Sequence, residues 1–494
     1  MDELLEHLAR WRPFTALVVG DFMLDEHIYG DAERLSADAP VPILRVRRTE
    51  SRPGGAANVC LDLVALGGTV RAFGVTGVDE AAETMRTILG AEGVDAGGVL
   101  PDASRPTTRK QNLVGLAQAR HPQKMFRVDH ESREGLGEAV VNRVAAAIES
   151  ALADADVVCI EDYDKGVCTA ALCARVIELA GRAGKPVLVD PARGVDYSKY
   201  RGATAITPNR TEAELATGMA THDTGDVTRN EGVARRLLET LGLEAVVLTL
   251  DRHGALLLER GSGPVAVPTV AREVYDVTGA GDMFLAGLAA GRANGCSWLD
   301  AVRLANAAAG LEVEVFGVQP IPIERVHHSV LMQSGAGGAG KVRTLEQAAL
   351  EASAKRREGR KVVFTNGCFD VLHSGHVTLL ERAKEMGDFL IVGLNDDASV
   401  ARLKGAGRPV NTQGDRARVL GALQAVGAVV VFGEDTPLKT IEALRPDVLV
   451  KGADYTKDRV VGREVVEGYG GRVELVDLVE GRSTTGIIER MRGG

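Results

Sequence analysis

The stretch KVVFTNGCFDVLHSGHVTLLERAKEMG, residues 361–387, predicts a buried strand, a glycine-containing loop and an amphipathic helix in direct succession. His373 and His376 lie three residues apart where that helix begins, so their side chains face the same side. The free N–H groups and the positive dipole end of a helix start favour anions, and Gly375 lets a ligand approach the backbone closely. Two imidazoles there can donate hydrogen bonds to phosphate oxygens. A pair of structural histidines is one alternative, and a zinc pair is another, although zinc helices usually space their histidines i, i+4 around a glutamate.

The same strand-and-helix alternation extends outward over most of the chain. Val-, Ile- and Leu-rich runs that alternate with helical patterns occur at residues 15–21, 156–163, 185–192, 204–209, 244–250, 388–395, 428–433 and 447–452. Near-continuous apolar strands separated by helices predict an α/β fold with parallel sheets that helices cover on both faces.

Two segments interrupt this pattern and suggest the domain organisation. Residues 28–50 contain short alternating strands broken by proline, which predicts a small β flap attached to the main sheet. Residues 331–344 are small and polar, as a flexible linker should be. The sequence therefore predicts a first domain over 1–330 and a second α/β domain over 345–494.

Composition limits the classes of function. The net charge of −10 argues against a general nucleic-acid or anionic-membrane binder. The six cysteines include no C-x-x-C pair, which argues against a zinc site or a disulfide framework and favours reduced thiols in the cytoplasm. The N-terminal MDELLEHLARW lacks the apolar stretch of a signal peptide, and no run of about 18 apolar residues predicts a membrane span.

The segment from Thr365 to His376 resembles the signature of the H-x-G-H nucleotidyltransferases, the cytidylyltransferase-like proteins, and the resemblance extends over about 355–494. It implies a Rossmann-like domain in which a phosphorylated substrate attacks the α-phosphate of a nucleoside triphosphate while His373 and His376 contact the phosphates. The nucleotide-binding residues that it implies are Thr365, Asn366, Gly367, Phe369, Lys404, Lys451, Ser483 and Thr484, with Asp396 and Arg416 as further candidates. Solvated lysines and a helix cap are the alternatives for Lys404, Lys451 and the Ser483–Thr484 pair.

A second signal is VTGAGDMFLAG, residues 277–287. Gly279, Ala280 and Gly281 form a small-residue turn that leads into a helix near Asp282. Backbone amides at such a turn suit a phosphoryl group in transfer, and the adjacent aspartate can accept a hydroxyl proton. A plain N-cap aspartate after a glycine turn is the alternative.

Together with PGGAANVCLDLVALGG at 53–68, this motif resembles the ribokinase-like PfkB family of carbohydrate kinases, over about residues 12–325. The resemblance implies that Asp282 is the catalytic base and that residues 279–281 form the anion hole. The sugar-binding residues that it implies are Asp21, Gly54, Gly55 and Asn58, with Lys110 reaching a distal phosphate unless it is simply an exposed lysine. On the ATP side it implies Asn209, Arg210, Thr211, Glu212 and Asn306, with Glu212 near a hydrated Mg²⁺. One departure is Asp251, where the family often has glycine.

The order of the two domains resembles the family of bifunctional heptose kinases and adenylyltransferases of bacterial lipopolysaccharide precursor synthesis. That resemblance implies ATP and sugar phosphates as substrates, Mg²⁺ with the ATP, and a homodimer paired through the flap at 28–50. The same two reactions on another sugar or polyol phosphate with CTP, and a sugar-phosphate sensor with inactive sites, are the alternatives.

Overall fold

The computed structural model describes residues 2–116, 123–194, 196–269, 277–314, 317–331, 341–357, 359–405, 407–453 and 456–477. The chain forms two compact units: residues 12–326, and residues 1–11 together with 327–494. Within the described ranges, no helix has both the length and the apolar character needed to cross a bilayer.

The unit of residues 12–326 contains thirteen described strands and nine of the described helices. The strands are β1 (Phe14–Gly20), β2 (Phe22–Leu35), β3 (Pro42–Gly55), β4 (Gly68–Thr76), β5 (Asp95–Pro101), β6 (Thr108–Leu116), β7 (Gln123–His130), β8 (Val157–Glu161), β9 (Val187–Asp190), β10 (Ala205–Ile206), β11 (Ala245–Thr249), β12 (Ala255–Glu259) and β13 (Val265–Val267). The helices are α2 (Ala56–Ala65), α3 (Glu80–Ala91), α4 (Glu138–Ala151), α5 (Ala170–Arg182), α6 (Arg210–Thr217), α7 (Glu231–Leu241), α8 (Ala280–Ala293), α9 (Trp298–Glu312) and α10 (Ile323–Leu331), of which α10 extends past residue 326.

The main sheet of this unit has nine strands in the order β13-β12-β11-β10-β9-β8-β1-β4-β5. All neighbours are parallel except β11–β12 and β12–β13. Leu17, Val19 and Val158 join the apolar core formed with α4, α5 and α7, while α2 and α8 contact β1 and β8. The predicted parallel sheet with helical cover is confirmed, and it places the residues that follow β1, β8 and β9 at one edge, where ligands of such sheets bind.

The predicted β flap is larger than residues 28–50. It is a four-stranded sheet in the order β3-β2-β6-β7, so residues 108–116 and 123–130 also belong to it. The sequence analysis predicts too few residues in the flap because β6 pairs in parallel with β2, and local sequence patterns do not indicate such a long-range contact.

The second unit is a parallel, Rossmann-like sheet of six strands in the order β14-β17-β16-β15-β18-β19, which confirms the predicted second α/β domain. Its strands are β14 (Val342–Arg343), β15 (Val362–Gly367), β16 (Phe389–Asn395), β17 (Ala428–Phe432), β18 (Val448–Gly452) and β19 (Arg472–Val476). Its helices are α1 (Asp2–Ala9), α11 (Leu345–Arg357), α12 (Ser374–Glu385), α13 (Asp397–Lys404), α14 (Gln413–Gly421), α15 (Leu438–Leu444) and α16 (Arg463–Gly468).

Two details bear on the predicted domain boundaries, which otherwise stay a prediction. Helix α1 packs on α11 and buries Leu4, Leu5 and Leu8, so the first residues of the chain group with the second unit rather than with 12–326. The predicted linker 331–344 includes strand β14, which pairs with β17 at the sheet edge; residues 332–340 lie outside the described ranges.

Candidate active sites

The turn before the predicted base of the first unit leads directly into helix α8. Gly279 is the N-cap with φ +89°, and the helix begins at Ala280. A Cβ at Gly279 would lie 2.6 Å from Oε1 of Glu312, so both the backbone angle and the space favour glycine there. The first turn of a helix directs N–H groups outward, although that of Ala280 donates to the Val277 carbonyl oxygen at 3.4 Å, and the anion hole at residues 279–281 stays a prediction.

Asp282, in the first turn of α8, is held at both carboxylate oxygens. Asn58 Nδ2 donates to Oδ2 at 2.8 Å, and the Tyr163 hydroxyl donates to Oδ1 at 2.8 Å. Only 5% of Asp282 is exposed, and this burial raises the pKa of its carboxyl to about 6, against the opposing effect of the two hydrogen bonds and of Lys110. The group is therefore charged at neutral pH and still basic enough to accept a proton.

Asp21, the predicted sugar ligand, follows β1 and is almost completely buried. Its carboxylate accepts hydrogen bonds from the backbone N–H groups of Tyr163 at 2.8 Å, Lys165 at 3.1 Å and Val167 at 3.1 Å. Burial and the neighbouring charge of Asp162 raise its pKa to about 6, while the N–H donors oppose the rise. The loop after β8 therefore fixes Asp21 in place.

The glycine pair of the predicted sugar pocket leaves no space for side chains. A Cβ at Gly54 would lie 2.4 Å from Oδ2 of Asp25, and one at Gly55, with φ +57°, would lie 2.6 Å from the Asp21 carbonyl oxygen. The structure thus brings Gly54, Gly55 and Asn58 beside Asp21 and Asp282.

Lys110 lies on strand β6 of the flap, with Nζ 5.1 Å from the centre of the Tyr163 ring. Its charge lowers the pKa of Asp282, which means that it faces the site rather than bulk solvent alone. Its contact with a distal phosphate stays a prediction.

The predicted ATP-side residues begin helix α6 with a capping box. Asn209 Oδ1 accepts from the Glu212 N–H at 3.0 Å, and Glu212 Oε2 accepts from the Asn209 N–H at 2.8 Å. Arg210 is paired with Asp251, the residue that replaces the usual glycine, at 2.6 Å, and Thr211 is exposed. The cap is compatible with the predicted nucleotide role and does not test it.

Asn306 on α9 donates from Nδ2 to the Val267 carbonyl oxygen at 2.8 Å. The amide therefore secures the edge strand β13, and its predicted position beside adenine remains a prediction.

Three carboxylates meet at the edge of the sheet, two of which the sequence interpretation missed. Oxygen atoms of Glu161, Asp190 and Asp282 lie within 4.8 Å of one another. Oε2 of Glu161 is buried and has no hydrogen-bond partner among the described residues, and burial together with the neighbouring carboxylates raises the pKa of Glu161. Such an oxygen cluster suits a hard divalent cation. The signal was the acidic EDYD at 161–164, directly after an apolar strand.

The two histidines of the second unit lie together at the start of α12. His373 is the N-cap, and its ring stacks on that of His376 with centres 3.9 Å apart. Phe369 packs edge-on against His376 at 5.2 Å. Burial and the neighbouring His373 lower the pKa of His376 to about 4, so this imidazole is neutral at physiological pH and offers one N–H donor.

The loop before these histidines is shaped by four other predicted residues. Thr365 is buried, and its Oγ1 has no hydrogen-bond partner among the described atoms. Lys451 Nζ donates to Asn366 Oδ1 at 2.6 Å, so this lysine is tied to the loop rather than freely solvated. A Cβ at Gly367 would lie 3.1 Å from the Phe369 ring.

Lys404, at the end of α13, is exposed. Its charge opposes the pKa increase that burial causes at Cys368, which means that it faces the same loop. Ser483 and Thr484 lie outside the described residues.

Arg416 has a structural role, and its predicted contact with the nucleotide stays a prediction. Its guanidinium is buried and donates to the carbonyl oxygens of Cys368, Asn395 and Asn411 and to the carboxylate of Asp397. It therefore braces the loops from within. Asp396 caps α13 by accepting from the Ser399 N–H at 2.6 Å.

Asp370, which the sequence interpretation left without a role, anchors the loop of residues 408–411. It forms a buried ion pair with Arg408 and accepts from the N–H groups of Val410 at 2.6 Å and Asn411 at 3.2 Å. The signal is weak in sequence because its partners lie 38 to 41 residues away.

Comparison with known proteins agrees with these two sites. Residues 15–324 match the pfkB family carbohydrate kinases, and residues 364–489 match the cytidylyltransferase-like family. Similar solved structures include a ribokinase from Arabidopsis thaliana (TM-score 0.50, 21% identity) and phosphofructokinase-2 from Escherichia coli (TM-score 0.53, 19% identity). Each covers 65% of this chain and 99% of its own, and at this identity they show the fold of the first unit alone.

Two curated relatives match almost the whole chain. The bifunctional protein HldE of Geobacter sulfurreducens is 48% identical over 97% of this chain and 95% of its own. That of Pelobacter propionicus is 46% identical over 98% of this chain and 97% of its own. The chain therefore belongs to the HldE family of bifunctional enzymes, and it pairs a pfkB-type carbohydrate kinase domain with a cytidylyltransferase-like domain.

Proposed function

We propose that this chain catalyses two steps of ADP-heptose synthesis for bacterial lipopolysaccharide. The first is ATP-dependent phosphorylation of D-glycero-β-D-manno-heptose 7-phosphate at O1. The second is adenylyl transfer from ATP to D-glycero-β-D-manno-heptose 1-phosphate with release of pyrophosphate. The observation that carries the proposal is the presence, in one chain of this family, of a buried aspartate and a histidine pair, each at the start of a helix.

In the kinase reaction, Asp282 accepts the proton of the O1 hydroxyl while that oxygen attacks the γ-phosphorus of ATP. The O1–P bond forms, the bond from the γ-phosphorus to the β–γ bridging oxygen breaks, and ADP leaves. Backbone N–H groups of residues 279–281 stabilise the negative charge of the transferring group. Asp21 and Asn58 orient the sugar, and Lys110 meets its 7-phosphate.

The nucleotide of this reaction is held on the side of α6 by Asn209, Arg210, Thr211 and Glu212, with Asn306 near the base. Mg²⁺ would neutralise phosphate charge, and Glu161, Asp190 and, through water, Glu212 are the residues that would hold it.

In the transferase reaction, a phosphate oxygen of the sugar 1-phosphate attacks the α-phosphorus of ATP, and pyrophosphate is the leaving group. The nucleophile already carries its charge, so positioning and charge stabilisation suffice. His373 and His376 donate to the phosphate oxygens, while Lys404, Lys451 and the Ser483–Thr484 pair add donors. Thr365 and residues 366–369 form the loop beneath the nucleotide.

The proposal extends to a cytoplasmic homodimer paired through the flap. Leu35, Val46 and Phe126 of the flap strands are 65%, 56% and 67% exposed, and burial in a partner interface would remove this apolar surface from water. Light scattering tests it: a single-chain mass would contradict the dimer.

Product identification by mass spectrometry tests the two reactions. The protein is incubated with ATP and heptose 7-phosphate, and separately with ATP and heptose 1-phosphate. We expect heptose 1,7-bisphosphate with ADP in the first mixture, and ADP-heptose with pyrophosphate in the second. Failure of both mixtures would contradict the proposal.

The alternative of a CTP-dependent enzyme for another sugar or polyol phosphate is separated in the same experiment. Each nucleoside triphosphate is offered with heptose 1-phosphate. Pyrophosphate release with CTP alone would favour the alternative, whereas release with ATP supports adenylyl transfer.

A further inference from the structure

Tyr163 contacts both ends of the kinase chemistry, although the motifs that identify the family do not include it. It lies in the EDYD segment directly after β8. Its backbone N–H donates to Oδ2 of Asp21 at 2.8 Å, and its side-chain hydroxyl donates to Oδ1 of Asp282 at 2.8 Å. One residue therefore joins the sugar ligand to the base.

The ring between these two hydrogen bonds is held from both sides. A Cβ on Gly55 would lie 3.3 Å from Cδ2 of Tyr163, so Gly55 lies against the ring. Lys110 Nζ lies over the ring at 5.1 Å from its centre, close enough for a cation–π contact. The half-buried ring therefore contacts two residues of the predicted sugar pocket.

The hydroxyl also has a direction that chemistry fixes. The carboxylate of Asp282 can only accept, and burial keeps the pKa of the tyrosine well above its usual value, so the phenol carries its proton and is the donor. Asn58 occupies the other oxygen of Asp282. With both oxygens bonded, the carboxylate plane is fixed, and donation to the charged form favours that form.

We propose that Tyr163 is a positioning residue that orients the carboxylate of Asp282 toward the acceptor hydroxyl. This inference rests on the proposed role of Asp282 as the base of the kinase reaction. Tyr163 neither loses its proton nor bonds to substrate in this role.

The test compares Tyr163→Phe with Tyr197→Phe in the full chain. Tyr197 is a buried tyrosine of the same unit whose hydroxyl has no hydrogen-bond partner among the described residues, so its variant also loses one buried oxygen but no contact to the base. Kinase kcat and the KM for the sugar are measured separately, because a residue that only orients the base changes kcat and leaves sugar binding intact. Transferase activity of the same samples reports that the chain is intact.

In Tyr163→Phe we expect the kinase kcat to fall about tenfold, because the carboxylate of Asp282 loses one of its two orienting donors. The KM for the sugar should change less than about twofold, because the backbone N–H to Asp21 remains. Tyr197→Phe should keep kcat within about twofold of the wild type. An unchanged kcat in Tyr163→Phe, or an equal loss in both variants, would overturn the proposal.

A second measurement does not depend on turnover. Crystal structures of the wild type and of Tyr163→Phe are compared for the orientation of the Asp282 carboxylate. A rotated carboxylate in Tyr163→Phe supports the proposal, and an unchanged one contradicts it. Kinase activity that survives in Asp282→Asn would instead contradict the proposed base itself, so the two failures are distinguishable.

Discussion

The kinase and transferase sites both lie where a helix begins, yet they bury groups of opposite charge type. Burial raises the pKa of the Asp282 carboxyl to about 6 and lowers that of the His376 imidazole to about 4. The same desolvation therefore makes the acid a better proton acceptor and makes the histidine a neutral hydrogen-bond donor. In the proposed reactions, the first site moves a proton, and the second holds phosphate oxygens without moving one.

The sites also differ in what fixes them. The carboxylate of Asp282 is held by two neutral donors, Asn58 and Tyr163, while the transferase loop is anchored by the charged pair of Asp370 and Arg408. A charged anchor suits a loop that must keep its shape. At Asp282 the direct hydrogen-bond donors are neutral, and the charge of Lys110 lowers the pKa of the carboxyl from a greater distance.

The largest effects are expected when the side chains of Asp282 and His376 are removed in separate variants. Asp282→Asn should lower the kinase kcat about a thousandfold or more, because a general base contributes up to roughly 10⁴. His376→Ala should lower the transferase kcat by about a hundredfold, as expected for loss of one donor to a developing charge. Both activities are assayed on each variant, and each should spare the other reaction; joint loss in one variant would contradict independent sites.

Removing the charged anchor tests whether it serves only the transferase. Asp370→Ala leaves Arg408 with a buried, uncompensated charge and frees two N–H groups, which should destabilise the second unit by roughly 3–5 kcal/mol. Calorimetry measures the destabilisation, and the two activities are assayed after heating. The kinase activity should be retained. The control is Asp435→Ala, which breaks an exposed pair with Arg402 and should cost less than about 1 kcal/mol.

The N-terminal helix offers a third test, since it precedes the kinase unit in sequence but packs with the transferase unit. Leu8→Ala in α1 removes a fully buried side chain and should destabilise the transferase unit by about 2–4 kcal/mol while the kinase melts unchanged. The control is Val419→Ala, which truncates a side chain that is 48% exposed and should change the free energy of unfolding of the transferase unit by less than about 0.5 kcal/mol. Earlier melting of the kinase in Leu8→Ala would refute the grouping.

The smallest expected effect is in the pH dependence of the unmodified protein. Below pH 6 the carboxyl of Asp282 becomes protonated, so kinase kcat/KM at pH 5 should fall about tenfold from its plateau. His376 stays mostly neutral at that pH because its pKa is about 4, so it imposes no such loss on the transferase. Both reactions are measured in one buffer series; coincident acid limbs would contradict the contrast.

The fold class and both motifs could be predicted from the sequence because their signals are local. Runs of Val, Ile and Leu predict buried parallel strands, and H-x-G-H or G-A-G-D needs only its own neighbours to be recognised. The contacts of Tyr163, Glu161 and Asp370 were not predicted because their partners are distant in sequence. Tyr163, for example, bonds to Asp282, which lies 119 residues away. The role of Arg416 could not be decided from the sequence, because a buried arginine that bonds to carbonyl oxygens and a nucleotide-binding arginine have a similar sequence context.

The placement of α1 has a consequence for synthesis of the chain. This helix is synthesised before the kinase unit, but α11, on which it packs, is synthesised only after all of residues 12–326. In the nascent chain, the side chains of Leu4, Leu5 and Leu8 are therefore exposed to water or bound by a chaperone while the kinase unit folds. A transferase unit expressed alone from residue 341 onward would lack α1 and its packing on α11. Adding residues 1–11 as a separate peptide should restore this packing.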